Sequence, residues 1–324
     1  MIKDEKILKV NNLKTSFYTK GKKLEAIRGV SFSVNKGDIL GIVGESGSGK
    51  SILMKSVIGI LPDNSKIDDG EIYFDNIDIV NMDDAKKRNL KGKDIAMIFQ
   101  DPMTALNPLK KIGDHLIEIL IRHRGVKKNE AKTIAIDLLN KVGVPMPEKR
   151  LNQYPHEFSG GMRQRVLIAM ALSCNPKLLI ADEPTTALDV TIQAQILELL
   201  RDLKEKNDMS VILITHDLGV VATLCNRVEV MYSGLIMEEG LVEEIFYNPK
   251  HPYTKALLKS IPKLDDEKER LEPIKGAAPS LTKIPKGCPF ADRCDMAIEK
   301  CFKEMPNYIK FSETHKSMCF LANN

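Results

Sequence analysis

Hydrophobic and polar side chains alternate along two stretches of the chain, roughly residues 7–35 and 70–80. In the second stretch, Ile72, Phe74, Ile77 and Ile79 alternate with more polar neighbours. A period of two is typical of a strand with one buried face. The pattern predicts an antiparallel β layer.

From about residue 105 to residue 172 the apolar spacing changes to three and four residues. The positions that define it are Ile112, Leu116, Ile119, Leu120, Ala131, Ile134, Ala135, Leu138 and Leu139. This spacing is that of amphipathic helices. We therefore predict a helical subdomain over these residues.

Three apolar runs, residues 39–43, 177–181 and 210–215, have the character of buried strands. A helical pattern over residues 191–206 joins the last two runs, which gives a β-α-β unit and parallel strands. The predicted fold class is therefore α/β, with a mostly parallel central sheet, an antiparallel β subdomain and a helical subdomain.

The composition changes near residue 262. Eight of the 16 prolines lie between Pro249 and Pro306, and four of the six cysteines follow Gly287. Because 324 residues exceed one typical domain of about 100–200 residues, we predict a main domain over residues 1–262 and a small proline- and cysteine-rich extension over residues 263–324.

Charge and hydropathy limit the classes of function. A net charge of +4 is small for this length and argues against a protein that coats nucleic acid. The longest stretch without acidic or basic residues covers 166–176, short of the roughly 18 apolar residues of a membrane-spanning helix. The first six residues have no apolar core, so we predict no signal peptide and a cytosolic chain that meets a membrane only through a partner.

A phosphate-binding loop follows the first apolar run. It reads Gly44-Glu45-Ser46-Gly47-Ser48-Gly49-Lys50-Ser51. Glycines allow backbone N–H groups to approach phosphates, and the helix predicted to follow adds the positive end of its dipole. In such loops the lysine reaches the β- and γ-phosphates and the final hydroxyl binds Mg²⁺.

Polar side chains follow the other apolar runs. Asp182 and Glu183 come after one strand, Gln100 after residues 95–99, and His216 after residues 210–215. Sheets of this class bind ligands at the carboxyl ends of their strands. Asp182 is predicted to hold Mg²⁺ through its water shell, and Glu183 to orient and polarise a water molecule.

A second glycine motif, Ser159-Gly160-Gly161, opens the apolar helix predicted over residues 162–173. It offers a hydroxyl, unobstructed N–H groups and a helix dipole to an anion. We therefore predict a second position at which the chain can bind an anion.

Taken together, these motifs resemble the nucleotide-binding subunit of ABC transporters over about residues 7–262, and more narrowly the dipeptide/oligopeptide importer ATPases of bacteria. The narrower resemblance rests on Phe99-Gln100-Asp101-Pro102-Met103-Thr104-Ala105-Leu106-Asn107-Pro108, Tyr154-Pro155-His156-Glu157-Phe158, His251-Pro252-Tyr253-Thr254 and Gly287-Cys288-Pro289-Phe290. Where ABC signatures usually read Leu-Ser-Gly-Gly-Gln, this chain has Phe158 and Met162 at the outer positions.

The resemblance implies an ABC-type P-loop ATPase in which ATP joins two subunits. It assigns catalysis to Glu183, His216 and Gln100, and Mg²⁺ binding to Ser51, Gln100 and Asp182. ATP contacts are implied for Phe17, Tyr18, Gly44, Glu45, Ser46, Gly47, Ser48, Gly49, Lys50, Ser51, Ser159, Gly160, Gly161 and Asp189. One ring, Phe17 or Tyr18, is expected to stack on adenine, and the spacing from Leu13 favours Phe17.

The implied partners are two transmembrane permease subunits, a second and related ABC ATPase subunit or an identical copy, and indirectly an extracellular peptide-binding protein, with no nucleic acid. This places the chain at the cytoplasmic face of the membrane as a peripheral subunit. Leu106, Pro108 and Leu109 are expected either to contact the permease or to pack in a turn. The permeases and the binding protein select the cargo, so another small solute, such as nickel, stays open.

Cys288, Cys294, Cys301 and Cys319 lie in the extension. Structural disulfides are disfavoured in the cytosol, so the residues leave an iron–sulfur cluster, zinc or four unliganded thiols open. Closely spaced Cys-x₂-Cys pairs, typical of zinc sites, are missing. A similar cysteine set in the peptide-importer ATPases implies a [4Fe-4S] cluster.

Two rival functions remain. A soluble ABC-type ATPase that acts on nucleic acid or ribosomes usually has two cassettes or a coiled-coil insertion, and neither is evident in the sequence. A regulatory protein that binds ATP without hydrolysis would not need Glu183 and His216.

Overall fold

The computed structural model describes residues 5–186, 188–260 and 274–322, apart from the side chains of Pro102 and Met103. The strands are β1 Lys6–Thr19, β2 Lys22–Asn35, β3 Ile39–Val43, β4 Ser65–Phe74, β5 Ile77–Asp78, β6 Ile95–Ile98, β7 Leu178–Asp182, β8 Ser210–Ile214, β9 Arg227–Tyr232, β10 Leu235–Leu241, β11 Ile309–Lys310 and β12 Lys316–Ser317. The α-helices are α1 Lys50–Ile58, α2 Asp84–Leu90, α3 Pro102–Ala105, α4 Ile112–Arg124, α5 Lys128–Lys141, α6 Pro147–Arg150, α7 Gly160–Leu172, α8 Val190–Asn207, α9 Leu218–Leu224, α10 Val242–Tyr247, α11 Pro252–Lys259 and α12 Glu299–Lys303. Short 3-10 helices cover Pro155–Glu157 and Ala291–Arg293.

The chain divides into two compact units. Most of the first unit is formed by Asn35–Asp38 and Asn81–Ile212, and the second by Leu8–Val34, Ile39–Val80 and the chain from Leu213 onward. The predicted domain boundary near residue 262 lies outside the described residues.

The second unit contains the antiparallel sheet that the alternating pattern predicts. Its strand order is β2-β1-β4-β5, and β1 pairs antiparallel with β4. Ile72 and Phe74 point into the core, whereas Ile77 is 52% exposed because it follows the tight turn into the two-residue strand β5. The predicted antiparallel layer is therefore confirmed, with this one side chain outside the core.

Parallel strand pairs occur in both units. In the second unit, β3 is buried along its whole length and pairs in parallel with β9. In the first unit, β6 pairs in parallel with β7. Both β3 and β7 are continuous apolar runs, as expected for parallel strands covered on both faces. These pairs confirm the predicted α/β class.

Helices α4, α5 and α7 account for the helical spacing in the first unit. Leu116 and Leu120 lie on the buried face of α4, and Ala135 and Leu139 on that of α5. Both helices, and α7, pack against one another. The three- and four-residue steps thus correspond to faces that bury apolar surface between helices.

The carboxyl-terminal part of the chain packs within the second unit. Strand β12 pairs with β10, with Ser317 opposite Glu238. The Glu238 side chain is fully buried and accepts hydrogen bonds from His315 Nε2 at 2.8 Å and from the His251 backbone N–H at 2.9 Å. Burial alone would raise the pKa of Glu238, but these and other hydrogen bonds hold its pKa below the usual value. The charged Glu238 carboxylate thus links the segment of β12 to the rest of the second unit.

His251 makes the second unit sensitive to acid. The side chain is buried, its Nδ1 accepts from the Tyr253 N–H at 3.0 Å, and burial lowers its pKa from 6.5 to about 4. Between these pH values the unfolded chain binds a proton that the folded chain does not, so stability falls as pH falls. We expect a loss of about 3 kcal/mol in unfolding free energy across this window from His251 alone.

Denaturant unfolding at pH 7 and pH 5 measures the first part of this loss, about 2 kcal/mol, with His251→Asn as the test variant. The Asn carbonyl oxygen replaces the Nδ1 acceptor but does not titrate, so the pH dependence should shrink. His156→Asn, at an exposed position, is the matched control. Equal pH dependence in wild type and His251→Asn would contradict the assignment.

Candidate functional site

The phosphate-binding loop connects β3 to α1. Gly44 has a φ of 149°, and a Cβ built there would lie 2.1 Å from the Met231 carbonyl oxygen. Gly49, the residue before α1, has a φ of 104°. Both conformations favour glycine, and the first position also leaves no space for a side chain. The glycines of the motif are therefore required by the fold of the loop itself.

Lys50 lies across the inside of this loop. Its Nζ donates hydrogen bonds to the Gly44 carbonyl oxygen at 2.7 Å and the Glu45 carbonyl oxygen at 3.0 Å, and the residue is 6% exposed. Ser46 and Gly47 at the tip of the loop are exposed, whereas Ser48 is buried. The Lys50 ammonium group and the N–H groups of the glycine loop can donate hydrogen bonds to phosphates, and the Ser51 hydroxyl oxygen can bind Mg²⁺. The residues present therefore fit a nucleoside triphosphate.

The end of β7 in the first unit brings the predicted carboxylates together. Asp182 is the last residue of the strand and is 3% exposed. Glu183 follows with a φ of 46°, in the left-handed region that non-glycine residues rarely adopt. Such strained positions are concentrated at functional sites. The backbone therefore turns sharply where the second carboxylate is presented.

Two side chains hold the Glu183 carboxylate. Gln100 Nε2 donates to Glu183 Oε2 at 2.9 Å, and Thr186 Oγ1 donates to the same oxygen at 2.8 Å. Gln100 and Glu183, which are 83 residues apart, were both predicted from their positions at strand ends. Thr186 was missed as a site residue, although a hydroxyl three residues after the carboxylate was a usable signal.

The Ser159-Gly160-Gly161 motif begins helix α7. Ser159 is its N-cap and accepts a hydrogen bond from the Met162 N–H at 3.3 Å. A Cβ at Gly161 would lie 2.6 Å from Ile192 Cγ2, so only glycine lets α7 approach α8 this closely. Ser159 and Gly160 are exposed. The motif thus presents the amino end of a thirteen-residue helix at the surface of the first unit.

The remaining predicted polar residues lie at helix starts. Asp189 is the N-cap of α8 and accepts from the Ile192 N–H at 2.9 Å. His216 is exposed and precedes Asp217, the N-cap of α9. Both lie at the surface, in accordance with a ligand or a second subunit reaching them, and their roles stay predictions.

The two candidate adenine-stacking rings differ in their surroundings. Tyr18 donates a hydrogen bond from Oη to Asp68 Oδ1 at 2.6 Å, and Lys66 Nζ lies 5.1 Å from the centre of its ring. Phe17 is partly buried on the other face of the strand. One face of the Tyr18 ring is thus already covered by a cation, which favours Phe17 as the stacking residue.

The predicted [4Fe-4S] cluster is wrong, and so is the zinc alternative. Among the described residues, no group of three or more His, Cys, Asp or Glu side chains could hold a metal ion. Cys288, Cys294, Cys301 and Cys319 surround a cavity of only about 10 Å³ lined by apolar side chains, which is about the space of one water molecule. The thiols do not fit a metal cluster.

Burial makes three of these thiols weaker acids. It raises the pKa of Cys288 to about 12, and it also raises the pKa of Cys294 and of Cys319. Cys288 and Cys301, together with the partly buried Cys294, pack with Phe290 and Tyr253 in the core of the second unit. The third possibility left open by the sequence, four unliganded thiols, stays a prediction.

Two family models match the chain. The model for ABC transporters matches residues 27–186, and the model for the carboxyl-terminal region of oligopeptide/dipeptide transporters matches residues 237–301.

Curated relatives and solved structures agree with these matches. The dipeptide transport ATP-binding protein DppD of Bacillus subtilis is 54% identical, covering 98% of this chain and 96% of that protein. The oligopeptide transport ATP-binding protein OppD of the same organism is also 54% identical, covering 97% and 88%. The solved dimer of the ATP-binding cassette MJ0796 in a post-hydrolysis state with ADP and phosphate superposes with a TM-score of 0.66 at 30% identity, covering 72% of this chain and 98% of that one. The predicted ABC-type fold is confirmed.

Proposed function

Because this chain belongs to the ABC transporter ATP-binding proteins, which are ATPases coupled to transport, we propose that it powers the import of dipeptides or oligopeptides across the cytoplasmic membrane. The observation that carries the proposal is 54% identity to a dipeptide transport ATP-binding protein over 98% of this chain. The match of residues 237–301 to a carboxyl-terminal region of oligopeptide/dipeptide transporters supports the same substrate class. These relatives do not support the alternative of an ATPase acting on nucleic acid or ribosomes.

We further propose that ATP is shared with a second ATPase subunit, related to this one but distinct from it. Ser159 and Gly160 are exposed at the start of α7, where the helix dipole and N–H groups favour an anion. One of the related solved cassettes is a dimer. A phosphate held by the other subunit would therefore complete the site at Ser159, Gly160 and Gly161.

For the hydrolysis step we propose a role for each predicted residue. Lys50 neutralises charge on the γ-phosphate, to which Mg²⁺ would add further positive charge when bound, and Glu183 accepts a proton from the attacking water, in keeping with phosphoryl transfer that depends on positioning and charge. Gln100 holds the Glu183 carboxylate at 2.9 Å. His216 senses the γ-phosphate.

Mg²⁺ would be held by the Ser51 hydroxyl, the Gln100 side chain and, through its water shell, Asp182. Their oxygen atoms are the ligand type that Mg²⁺ prefers.

We also propose that the chain divides into a main domain over residues 1–262, with a helical subdomain over 105–172, and an extension over residues 263–324.

The permease is proposed to dock on the first unit, in an apolar groove of about 220 Å³. Met97 and Phe99 line it from the segment of β6 and the residue after it, and Leu167 and Met170 from α7. Phe99 is 42% exposed.

Of the predicted contacts beyond Gln100, Leu106 is buried, whereas Pro108 and Leu109 are exposed. We propose that a short apolar segment of a permease occupies this groove, and such docking would hold the chain at the cytoplasmic face as a peripheral subunit. Among the described residues, no helix is long and apolar enough to cross a bilayer.

Uptake into proteoliposomes tests the proposed function. The chain is purified with its permeases and second ATPase, ATP is enclosed, and labelled dipeptides to pentapeptides are offered with the binding protein outside. We expect uptake that requires ATP and stops in a complex carrying Glu183→Gln. ATP-driven uptake of nickel but of no peptide would overturn the substrate class. Salt-sensitive binding of RNA or DNA by the chain, without uptake, would favour the rival function.

A further inference from the structure

The carboxyl-terminal part of the chain contacts the phosphate-binding loop through one ion pair. Arg293 Nη1 lies 2.5 Å from Glu45 Oε2, and Arg293 Nη2 lies 2.8 Å from Glu45 Oε1. Both residues belong to the second unit. The pair is bidentate, the arrangement in which guanidinium and carboxylate planes bind with the most defined geometry. Glu45 is the second residue of the loop that contains Lys50.

Arg293 is held rigidly on its own side of the pair. Its Nε donates to the Lys275 carbonyl oxygen at 2.8 Å, and its Nη1 donates to Tyr232 Oη at 3.0 Å. The guanidinium carbon lies 5.8 Å from the centre of the Phe290 ring, and the side chain is 5% exposed. The hydrogen bond to Glu45 contributes most to raising the pKa of Arg293. The cation is thus fixed in place before any ligand binds.

The carboxyl-terminal part of the chain also binds the backbone of the loop. The Glu45 N–H donates to Tyr253 Oη at 2.9 Å. Tyr253 is fully buried, and its ring lies 4.6 Å from the Tyr232 ring and 5.2 Å from the Phe290 ring. The main chain and the side chain of Glu45 are therefore both bound by residues from the carboxyl-terminal part of the chain.

Charge gives the pair a consequence for nucleotide binding. The loop has to accept several negative phosphate charges, and an unpaired carboxylate within it would repel them. A partly buried carboxylate is screened less by salt than an exposed one. With Arg293 in place, the pair is neutral and the Glu45 side chain cannot turn toward the phosphates.

We propose that Arg293 is a positioning residue for ATP binding, which acts through Glu45 to neutralise and fix the phosphate-binding loop. It does not touch the nucleotide itself. The proposal rests on ATP binding at this loop and not on the identity of the transported solute. It can therefore be tested separately from peptide import.

Titration calorimetry of the full chain with ATP and Mg²⁺ tests the proposal in a double-variant design. Arg293→Ala should weaken ATP binding on the order of tenfold, because it leaves the Glu45 carboxylate unpaired. In a Glu45→Gln background the same Arg293 substitution should weaken binding by less than about threefold, since no carboxylate remains. Arg227→Ala is the matched control. Arg227 donates to the Ser33 carbonyl oxygen at 3.0 Å, in the same unit.

A merely structural role predicts a different pattern. If Arg293 only stabilised the fold, its replacement would weaken ATP binding equally with and without the Glu45 carboxylate, and that result would overturn the proposal. Unchanged ATP affinity in Arg293→Ala would also overturn it. Should Arg293→Ala fail to fold, Arg293→Gln preserves part of the hydrogen bonding and is compared in the same two backgrounds.

In the assembled complex, Arg293→Ala should raise KM for ATP while kcat stays within about twofold of wild type. Absence of ATP binding in the wild type would refute the ATPase assignment instead.

Discussion

Glu183→Gln is expected to lower ATP turnover by about 10²–10⁴-fold, the usual contribution of a general base, while leaving ATP binding intact. Glutamine keeps the volume of the side chain and one oxygen that can accept from Gln100 and Thr186, which now lie 2.9 Å and 2.8 Å from Glu183 Oε2. It removes the group that takes the proton from water. ATP turnover should therefore fall while ATP affinity stays unchanged.

Turnover is measured in the assembled complex, and ATP affinity is measured on the chain alone. Glu198→Gln is the matched control, since Glu198 is an exposed carboxylate on helix α8 of the same unit. The control should hydrolyse ATP at the wild-type rate. Turnover of Glu183→Gln within about threefold of wild type would show that Glu183 is not the base.

Gly44→Ala should weaken ATP binding on the order of 10²-fold. The added Cβ would lie 2.1 Å from the Met231 carbonyl oxygen, which belongs to strand β9 and has little freedom to move. Overpacking against backbone typically costs about 1–3 kcal/mol, and an unfavourable φ adds a similar amount. The loop relieves the clash by leaving the conformation in which its N–H groups converge.

Calorimetry with ATP and Mg²⁺ measures this change, and thermal unfolding separates it from loss of the fold. Gly21→Ala is the control, because Gly21 also has a positive φ, 74°, but no atom within 4 Å of a built Cβ. Its ATP affinity should match that of wild type. If Gly44→Ala bound ATP as tightly as Gly21→Ala, the close approach to Met231 would have no role in the site.

Local patterns predicted much of the fold and of the candidate site. The continuous apolar run of β3 and the glycine spacing after it identify the phosphate-binding loop without any tertiary information. Gln100 and Glu183 were predicted for a general reason, namely that parallel strands deliver the residues at their carboxyl ends to one edge. Their hydrogen bond at 2.9 Å agrees with that reasoning.

Tertiary packing decided what the sequence could not predict. Four cysteines in a short segment are compatible with ligation and with core packing, and the choice depends on cavity size and burial, which spacing does not encode. The Arg293–Glu45 pair was missed because partners 248 residues apart have no sequence signature, whereas Thr186 was missed although it lies only three residues after Glu183. The left-handed backbone at Glu183 is likewise imposed by its surroundings, since glutamate has no preference for it.

The sequence separation of Arg293 and Glu45, 248 residues, has a consequence for biosynthesis. At about 5–20 residues per second, a ribosome completes the phosphate-binding loop roughly 10–50 s before it adds the arginine that pairs with it. During that interval the nascent chain already has Lys50 and the loop glycines but still has an unneutralised carboxylate among them. Tight ATP binding would therefore be one of the last properties the chain acquires, after almost all of its sequence has been made.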